Sequence, residues 1–210
     1  ILNISLNLGH EDVGTTSGSY GYGRAFAESL VGKVGVKDVT DSHTAITDFA
    51  KRNGYKNVYL MGNSYGGYLA PKLLVDKPKS YKGAFSINGV MDWTTMLTAL
   101  DTSIFNVLFK GTVGAANDNY DEYAKSSIYN NVSNLTNQKV VLMHGEKDMT
   151  IGKRQSEGLA TYMQSVNKPV ELIIMAGEDH IYKKPQSFIL LCEKALAFVG
   201  RAGKVSCDII

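Results

Sequence analysis

Short apolar segments that alternate with helix-like segments are the feature of this sequence that most limits its fold. Several of these segments contain almost no polar side chains, which is typical of strands buried on both faces of a parallel sheet. The predicted strands are Ile1–Leu8, Asn57–Met61, Tyr81–Ile87, Lys139–His144 and Pro169–Met175. Strands that alternate with helices in this way predict an α/β fold, in which helices cover a mostly parallel sheet.

The segments between the strands carry the spacing and the stop signals of helices. Helices are predicted at Arg24–Val31, from a cap at Asp41 or Ser42 to Asn53, at Tyr68–Val75, at Met91–Phe109, at Lys153–Ser165 and at Lys184–Val199. The polar stretches Gly9–Gly23 and Gly111–Asn137 are predicted to be irregular. Because no linker interrupts the pattern, residues 1–210 are interpreted as a single domain.

Composition argues against several classes of protein. The 22 Lys and Arg residues nearly balance the 20 Asp and Glu residues without forming a charged block, so no nucleic-acid partner is expected. No apolar run approaches the roughly 18 residues that a membrane-spanning helix needs. No signal peptide is visible, but the chain does not begin with Met, so the compartment is left open. Cys192 and Cys207 lack metal-ligand spacing and could be paired or free, and neither a metal nor an organic cofactor is expected.

The most specific local pattern is a G-x-S-x-G motif, Gly62-Asn63-Ser64-Tyr65-Gly66, between a predicted strand and a predicted helix. An ordinary glycine-rich turn could also show it, but this context is that of a nucleophile elbow, which presents a serine hydroxyl above the carboxyl ends of the strands. We expect strained backbone at Ser64, and we expect side chains at positions 62 and 66 to clash. The start of the following helix would add backbone N–H groups and a positive dipole end.

A serine hydroxyl needs a base to become a good nucleophile. In an arrangement of this kind an acid and then a histidine follow later strands. His144-Gly-Glu-Lys-Asp148 comes at the end of the fourth predicted strand, and Gly177-Glu-Asp-His180 comes after the fifth. Ser64, Asp148 and His180 are therefore predicted to form a catalytic triad, in which His180 takes the serine proton and Asp148 orients the imidazole.

Other residues remain open for the roles of acid and base. Asp92 follows the third predicted strand and is an alternative acid, and the remaining competitors are Glu146, Glu178 and Asp179. The other histidines fit less well: His10 precedes the nucleophile, His43 is interpreted as an exposed helical residue, and His144 as a structural residue that holds the acid loop.

These motifs resemble the prolyl oligopeptidase family of serine peptidases, which lies in the α/β-hydrolase superfamily and includes dipeptidyl peptidases and acylaminoacyl peptidases. The resemblance extends from about Gly21 to Gly200. Its motifs are Gly21-Tyr-Gly-Arg-Ala-Phe26, Asp38-Val-x-Asp41, Gly62-Asn-Ser-Tyr-Gly-Gly-Tyr68, His144-Gly-x-x-Asp148 and Gly177-Glu-Asp-His180. It implies an α/β-hydrolase fold and the hydrolysis of short peptides through an acyl-enzyme on Ser64, with no cofactor.

The resemblance also implies a substrate pocket, because apolar residues after the third strand of such enzymes help to hold the side chain before the scissile bond. The matching candidates are Val90, Trp93 and Met96, together with Ile151 after the acid loop. Met96 and Leu100 could equally belong to the core stripe of an ordinary helix, because their spacing from Trp93 is helical. The N–H of Tyr65 is the expected oxyanion-hole donor.

The sequence departs from the family pattern at its amino end, where the family has further strands, a loop with a second oxyanion donor and a β-propeller. We therefore expect the sheet to be completed by a second copy of the chain, by a separate amino-terminal segment, or by direct pairing of Ile1–Leu8 with Asn57–Met61. The same triad would also serve a carboxylesterase or a lipase-like hydrolase, and a weakly active fragment could act as a binding or assembly module.

Overall fold

The central sheet consists of four parallel strands that pair in the order in which they occur along the chain. A computed structural model describes residues 4–5, 13–14, 16–19, 21–99, 114, 116–203 and 206–207. The described strands are β1 (Ile4–Ser5), β2 (Val13–Gly14), β3 (Tyr59–Asn63), β4 (Gly83–Ile87), β5 (Lys139–Gly145) and β6 (Val170–Met175). Strands β3 to β6 form the sheet, and Leu60, Ala84, Val140 and Val170 align across it.

The helices lie between these strands along the chain. The described helices are α1 (Arg24–Glu28), α2 (Lys37–Arg52), α3 (Tyr65–Asp76), α4 (Trp93–Ala99), α5 (Ala116–Ser126), α6 (Arg154–Ser165) and α7 (Pro185–Phe198), with a 3-10 helix at Ile128–Asn134. No described helix has both the length and the apolar composition that crossing a membrane requires.

Different helices cover the two faces of the sheet, because side chains alternate along each strand. Leu60 and Leu142 pack in one hydrophobic cluster with residues of α2, α3 and α6. Phe85 and Val141, each next to a residue of the first cluster, pack in a second cluster with Phe198 of α7. The prediction of an α/β fold with a parallel sheet flanked by helices is thus confirmed.

Helix α2 begins at Lys37, so the predicted cap at Asp41 or Ser42 was wrong. Asp41 does not act as a cap because its carboxylate accepts hydrogen bonds from the backbone N–H and the hydroxyl of Ser17, at 3.0 and 2.6 Å. The hydroxyl of Thr40 bonds to the carbonyl of Val36 within the first turn. The N-cap position is occupied by Val36, whose side chain makes no hydrogen bond to the first turn.

Two further boundaries differ from the predictions. Helix α3 begins at Tyr65 rather than Tyr68, so the second half of the glycine motif is already helical. The stretch Gly111–Asn137 is not irregular throughout, because it contains α5 and the 3-10 helix. Buried Tyr123 anchors α5 by donating a hydrogen bond to the carbonyl of Gly114 at 2.9 Å. Of the predicted helix Met91–Phe109, the part from Leu100 onward lies outside the described residues.

The first strand pairs differently from the proposed arrangement. Ile4 and Ser5 of the predicted strand pair antiparallel with Gly14 and Val13, which lie inside the stretch Gly9–Gly23 that was predicted to be irregular. Strand β1 lies near β3, but among the described residues it forms a separate two-stranded sheet with β2.

Near the other end of the chain, Cys192 and Cys207 form a disulfide, so the two cysteines are paired rather than free.

The aromatic contact between α7 and the sheet provides a test of the fold. Phe198 is 5 % exposed and packs edge-on against Tyr59 and Phe85, with ring centroids 5.3 and 5.7 Å away. We expect Phe198→Ala to lower the free energy of unfolding by about 3–5 kcal/mol, because it leaves a cavity beneath the helix. Urea denaturation measures this difference.

Phe188→Ala is the matched control, since Phe188 lies on the same helix but is 46 % exposed. Its effect on the free energy of unfolding should be within about 0.5 kcal/mol. Equal losses in the two variants would contradict the described packing of α7.

Candidate active site

Ser64 occupies a sharp turn between β3 and α3. Its backbone has φ 57° and ψ −117°, a conformation that a non-glycine residue rarely adopts and that costs about 1–3 kcal/mol. Its N–H donates to the carbonyl of Ile87 at 2.8 Å, which ties the turn to the end of β4. A Cβ atom on Gly62 would lie 2.2 Å from the carbonyl oxygen of Gly66, so position 62 has no room for a side chain.

Gly66 differs from Gly62, and the expectation that a side chain would clash there was wrong. A Cβ atom on Gly66 would have nothing within 4 Å outside its own helix and chain neighbours. Gly66 already lies in the first turn of α3, where a side chain would have room. Steric crowding therefore accounts for one of the two glycines of the motif.

The structure brings the side chains of Ser64, His180 and Asp148 together. His180 follows β6, and its Nε2 lies 3.0 Å from the Oγ of Ser64. The other ring nitrogen, Nδ1, lies 2.7 Å from Oδ2 of Asp148, which follows β5. The imidazole therefore lies between a hydroxyl and a carboxylate, within hydrogen-bond distance of both.

Hydrogen bonds compensate for the burial of the Asp148 carboxylate. Its Oδ1 accepts the N–H groups of Thr150 and Ile151, at 2.9 and 2.8 Å. Burial alone would raise the pKa of Asp148, but hydrogen bonds from His144, His180 and the N–H of Ile151 outweigh it and hold this pKa well below its usual range. The carboxylate therefore stays ionised beside the imidazole.

His144 is a fully buried residue beneath the acid loop, in agreement with its interpretation as structural. Its Nδ1 lies 2.7 Å from the hydroxyl of Ser156, and its Nε2 lies 2.8 Å from the carbonyl of Ile151. The same Nε2 is 3.3 Å from Oδ2 of Asp148. His144 thus supports both the backbone and the carboxylate of the loop.

The alternative acids have other partners in the described part of the chain. Asp92 accepts bonds from the N–H and the hydroxyl of Thr94 at the start of α4. Glu146 accepts the N–H of Gly177, and Asp179 accepts the N–H of His180. Buried Glu178 accepts bonds from the N–H groups of Lys183 and Lys184, just before α7, and from the hydroxyl of Ser187.

The remaining histidines lie elsewhere. His43 is half-buried rather than exposed, and its Nδ1 lies 2.9 Å from the Oη of Tyr81. His10 lies outside the described residues. Among the residues that the structure describes, no group of three or more His, Cys, Asp or Glu side chains could hold a metal ion.

Tyr65, the predicted oxyanion donor, is anchored through its side chain. Its Oη donates to Oδ2 of Asp38 at 2.7 Å. Burial, and then the charge of Asp38, raise the pKa of the phenol well above its usual value, so the phenol stays neutral and donates. Burial also raises the pKa of Asp38, partly offset by the bond from Tyr65.

The contact of Asp38 with Tyr65 is not predicted from the sequence, and neither is that of Asn88, after β4, whose side-chain amide donates to the carbonyl of His180 at 2.7 Å. Asp38 stands in a motif of the family resemblance, but nothing in that motif indicates a contact with Tyr65. Asn88 is a polar residue at the end of an apolar strand, and this is the one signal that would have marked it for attention.

The predicted pocket residues are all buried in the cluster that α3 shares with the sheet. Trp93 packs against Tyr65 and Tyr68, with ring centroids 5.6 and 5.3 Å away. Val90, Met96 and Ile151 lie in the same cluster. Trp93 therefore packs directly against the residue that follows Ser64, and the pocket role of these residues stays a prediction.

Comparisons with known proteins agree on one family. A model of the prolyl oligopeptidase family matches residues 15–205. Dipeptidyl peptidase family member 2 of Caenorhabditis elegans is 25% identical over 185 residues, which cover 82% of this chain and 21% of that protein. The human acylamino-acid-releasing enzyme is 25% identical over 169 residues, which cover 78% of this chain and 23% of that protein. The chain thus spans about a quarter or less of the length of these relatives.

Solved structures show the same fold. An acylaminoacyl peptidase in complex with Z-Gly-Gly-Phe-chloromethyl ketone superimposes with a TM-score of 0.79 and 23% identity, over 93% of this chain and 32% of that one. A Mycobacterium tuberculosis puromycin-hydrolyzing peptidase gives a TM-score of 0.78 and 26% identity, over 89% and 28%. These neighbours are of the α/β-hydrolase type, and the predicted α/β-hydrolase fold is therefore confirmed.

The two glycines of the motif should differ when they are replaced. We expect Gly62→Ala to lower the free energy of unfolding by about 1–3 kcal/mol or more, because the new methyl group would collide with backbone. Gly66→Ala should keep or slightly raise the stability, because its position is open and alanine favours helix. Thermal and urea denaturation of both variants measure the contrast, and the opposite order would contradict the described turn.

The loss of stability at acidic pH tests whether the pKa of Asp148 is lowered in the folded chain. Because the pKa of Asp148 is lower in the folded chain than its ordinary value of about 3.9, the unfolded chain takes up the proton first as the pH falls, and stability falls with it. We expect Asp148→Asn to lose less stability than the wild type between about pH 5 and about pH 3. Urea denaturation at both pH values measures this loss.

Asp48→Asn, on the exposed side of α2, is the control and should follow the wild-type curve. If Asp148→Asn lost as much stability as the wild type over this range, the depressed pKa of Asp148 would be refuted.

Proposed function

Because the chain belongs to the prolyl oligopeptidase family, we propose that it is a serine peptidase that hydrolyses short peptides through an acyl-enzyme on Ser64. The observation that carries the proposal is the continuous set of contacts from the Ser64 hydroxyl through the His180 imidazole to the Asp148 carboxylate, at 3.0 and 2.7 Å. The names of the relatives, which include dipeptidyl and acylamino-acid-releasing enzymes, support a peptide substrate. We also propose that residues 1–210 act as one catalytic domain.

In the first half of the reaction, Oγ of Ser64 attacks the carbonyl carbon of the scissile peptide bond. The hydroxyl proton moves to Nε2 of His180, and the new C–O bond produces a tetrahedral oxyanion. When the C–N bond breaks, the proton passes from His180 to the leaving amine. The ionised Asp148 keeps Nδ1 as the protonated nitrogen and stabilises the imidazolium that forms between these steps.

In the second half, water replaces the amine. His180 takes a proton from the water as its oxygen attacks the acyl carbon, and this proton returns to Oγ of Ser64 when the ester C–O bond breaks. The products are the carboxylic acid and the free serine. No metal or organic cofactor is needed for these steps.

The groups around the triad have roles in this proposal. The N–H of Tyr65, in the first turn of α3, donates to the oxyanion, and the hydrogen bond from its Oη to Asp38 holds this turn in place. In this proposal Trp93 and Val90 lie behind the apolar wall that receives the side chain before the scissile bond, since they are buried in one cluster with Met96 and Ile151. Completion of the sheet beside β3 by a second copy or by an amino-terminal segment stays a prediction.

A fluorophosphonate probe tests for an activated serine. The probe forms a P–O bond with Oγ of Ser64 while fluoride leaves, and this reaction needs the same base as peptide hydrolysis. We expect the full chain to be labelled at Ser64, and His180→Ala to slow the labelling by several powers of ten, about 10³-fold or more. Mass spectrometry of the digested adduct locates the label.

His43→Ala is the matched control, because it removes a half-buried histidine that is bonded to Tyr81 and not to the triad. It should be labelled at the wild-type rate. Folded protein without a label at Ser64 would reject the proposal and leave a binding or assembly module. The relative turnover of amide and ester substrates then separates a peptidase from an esterase.

A further inference from the structure

Asn88 lies where the three loops of the proposed active site meet. It follows β4 directly and is 1 % exposed. Its backbone has φ 48°, a left-handed conformation that asparagine tolerates better than most residues. Its neighbour Ile87 accepts the backbone N–H of Ser64. The end of β4 is therefore already bonded to the turn that carries the nucleophile.

The side-chain amide of Asn88 joins the other two loops. Its Nδ2 donates to the backbone carbonyl of His180 at 2.7 Å. Its Oδ1 accepts the N–H of Gly145, at the start of the acid loop, at 2.9 Å, and the Oη of Tyr182 donates to the same oxygen at 3.2 Å. These partners determine the orientation of the amide, because a carbonyl only accepts and an N–H only donates.

The bond to the His180 carbonyl reaches the backbone of the residue that carries the imidazole. The N–H of His180 bonds locally, to the side chain of Asp179 at 2.7 Å. The bond from Asn88 instead connects His180 to the central sheet. A small displacement of this backbone moves Nε2 relative to the Ser64 hydroxyl, and an error of about 1 Å in such a geometry costs about 10²-fold in rate.

We propose that Asn88 is a positioning residue, whose amide ties the backbone of His180 to the acid loop at Gly145 and so sets the distances within the proposed triad. It does not touch the reacting atoms. The inference rests on the proposed function, because it explains how that site keeps its geometry.

The experiment compares rates of fluorophosphonate labelling at Ser64 in the full chain. We expect Asn88→Ala to be labelled about 10²-fold more slowly than the wild type. Asn88→Asp keeps the size and the acceptor for Gly145 but loses the donor to His180, so it should also be labelled slowly. A role limited to holding Gly145 would let aspartate restore the rate. Since aspartate can retain both bonds to Oδ1, from Gly145 and from Tyr182, it decides the matter if the alanine variant does not fold.

Asn131→Ala is the matched control. It also removes a side-chain amide, which donates to Asp76 at the end of α3 at 2.7 Å and does not contact the loops of the site. We expect it to be labelled at the wild-type rate, even where it lowers the thermal midpoint as much as the Asn88 variants do. This comparison separates lost stability from lost positioning.

Proton NMR supplies a second readout. A proton held between Nδ1 of His180 and Asp148 gives a far-downfield signal, which we expect to be kept in Asn131→Ala and to shift or disappear in the Asn88 variants. Wild-type labelling rates in a folded Asn88 variant, with this signal unchanged, would overturn the inference alone. A wild-type chain that is not labelled at Ser64 would instead overturn the proposed function, and the inference with it.

Discussion

Parallel pairing of β3 to β6 is the constraint on which the rest of the structure depends. Parallel strands place all their carboxyl ends at one edge of the sheet, so the residues that follow them meet there although they are far apart in sequence. Ser64 follows β3, Asn88 follows β4, Asp148 follows β5 and His180 follows β6. Each strand is thus followed by a residue of the candidate site or by Asn88, which contacts it. The spacing of the strands in the sheet determines how far apart these residues lie.

At that edge the protein keeps a carboxylate that is shielded from water. Asp148 remains ionised because backbone N–H groups from its own loop and two imidazoles surround it, and these bonds replace the water it has lost. His144 serves as a scaffold from below, and His180 faces the solvent side with part of its ring exposed. The two histidines on this carboxylate therefore differ in burial, and His180 is the one within hydrogen-bond distance of the Ser64 hydroxyl.

Much of this arrangement could be predicted because it is local. The apolar runs place β4, β5 and β6 to within a residue or two, and the order of the strand ends suggested that Ser64, Asp148 and His180 would meet. What could not be predicted depends on contacts between distant segments. The bond between Ser17 and Asp41 joins α2 to a distant segment, and the tether at Asn88 depends on the fold of two later loops. The difference between crowded Gly62 and open Gly66 likewise depends on packing, which the G-x-S-x-G pattern does not reveal.

The backbone of Ser64 also limits which amino acids this position can hold, and so which could serve as the proposed nucleophile. Threonine carries the same hydroxyl, but its Cβ is branched, and branched side chains are the least compatible with a positive φ. A cysteine would fit the turn sterically, since it has the same shape as serine. The sharp bend at this residue therefore favours a side chain with an unbranched Cβ at the position of the proposed nucleophile.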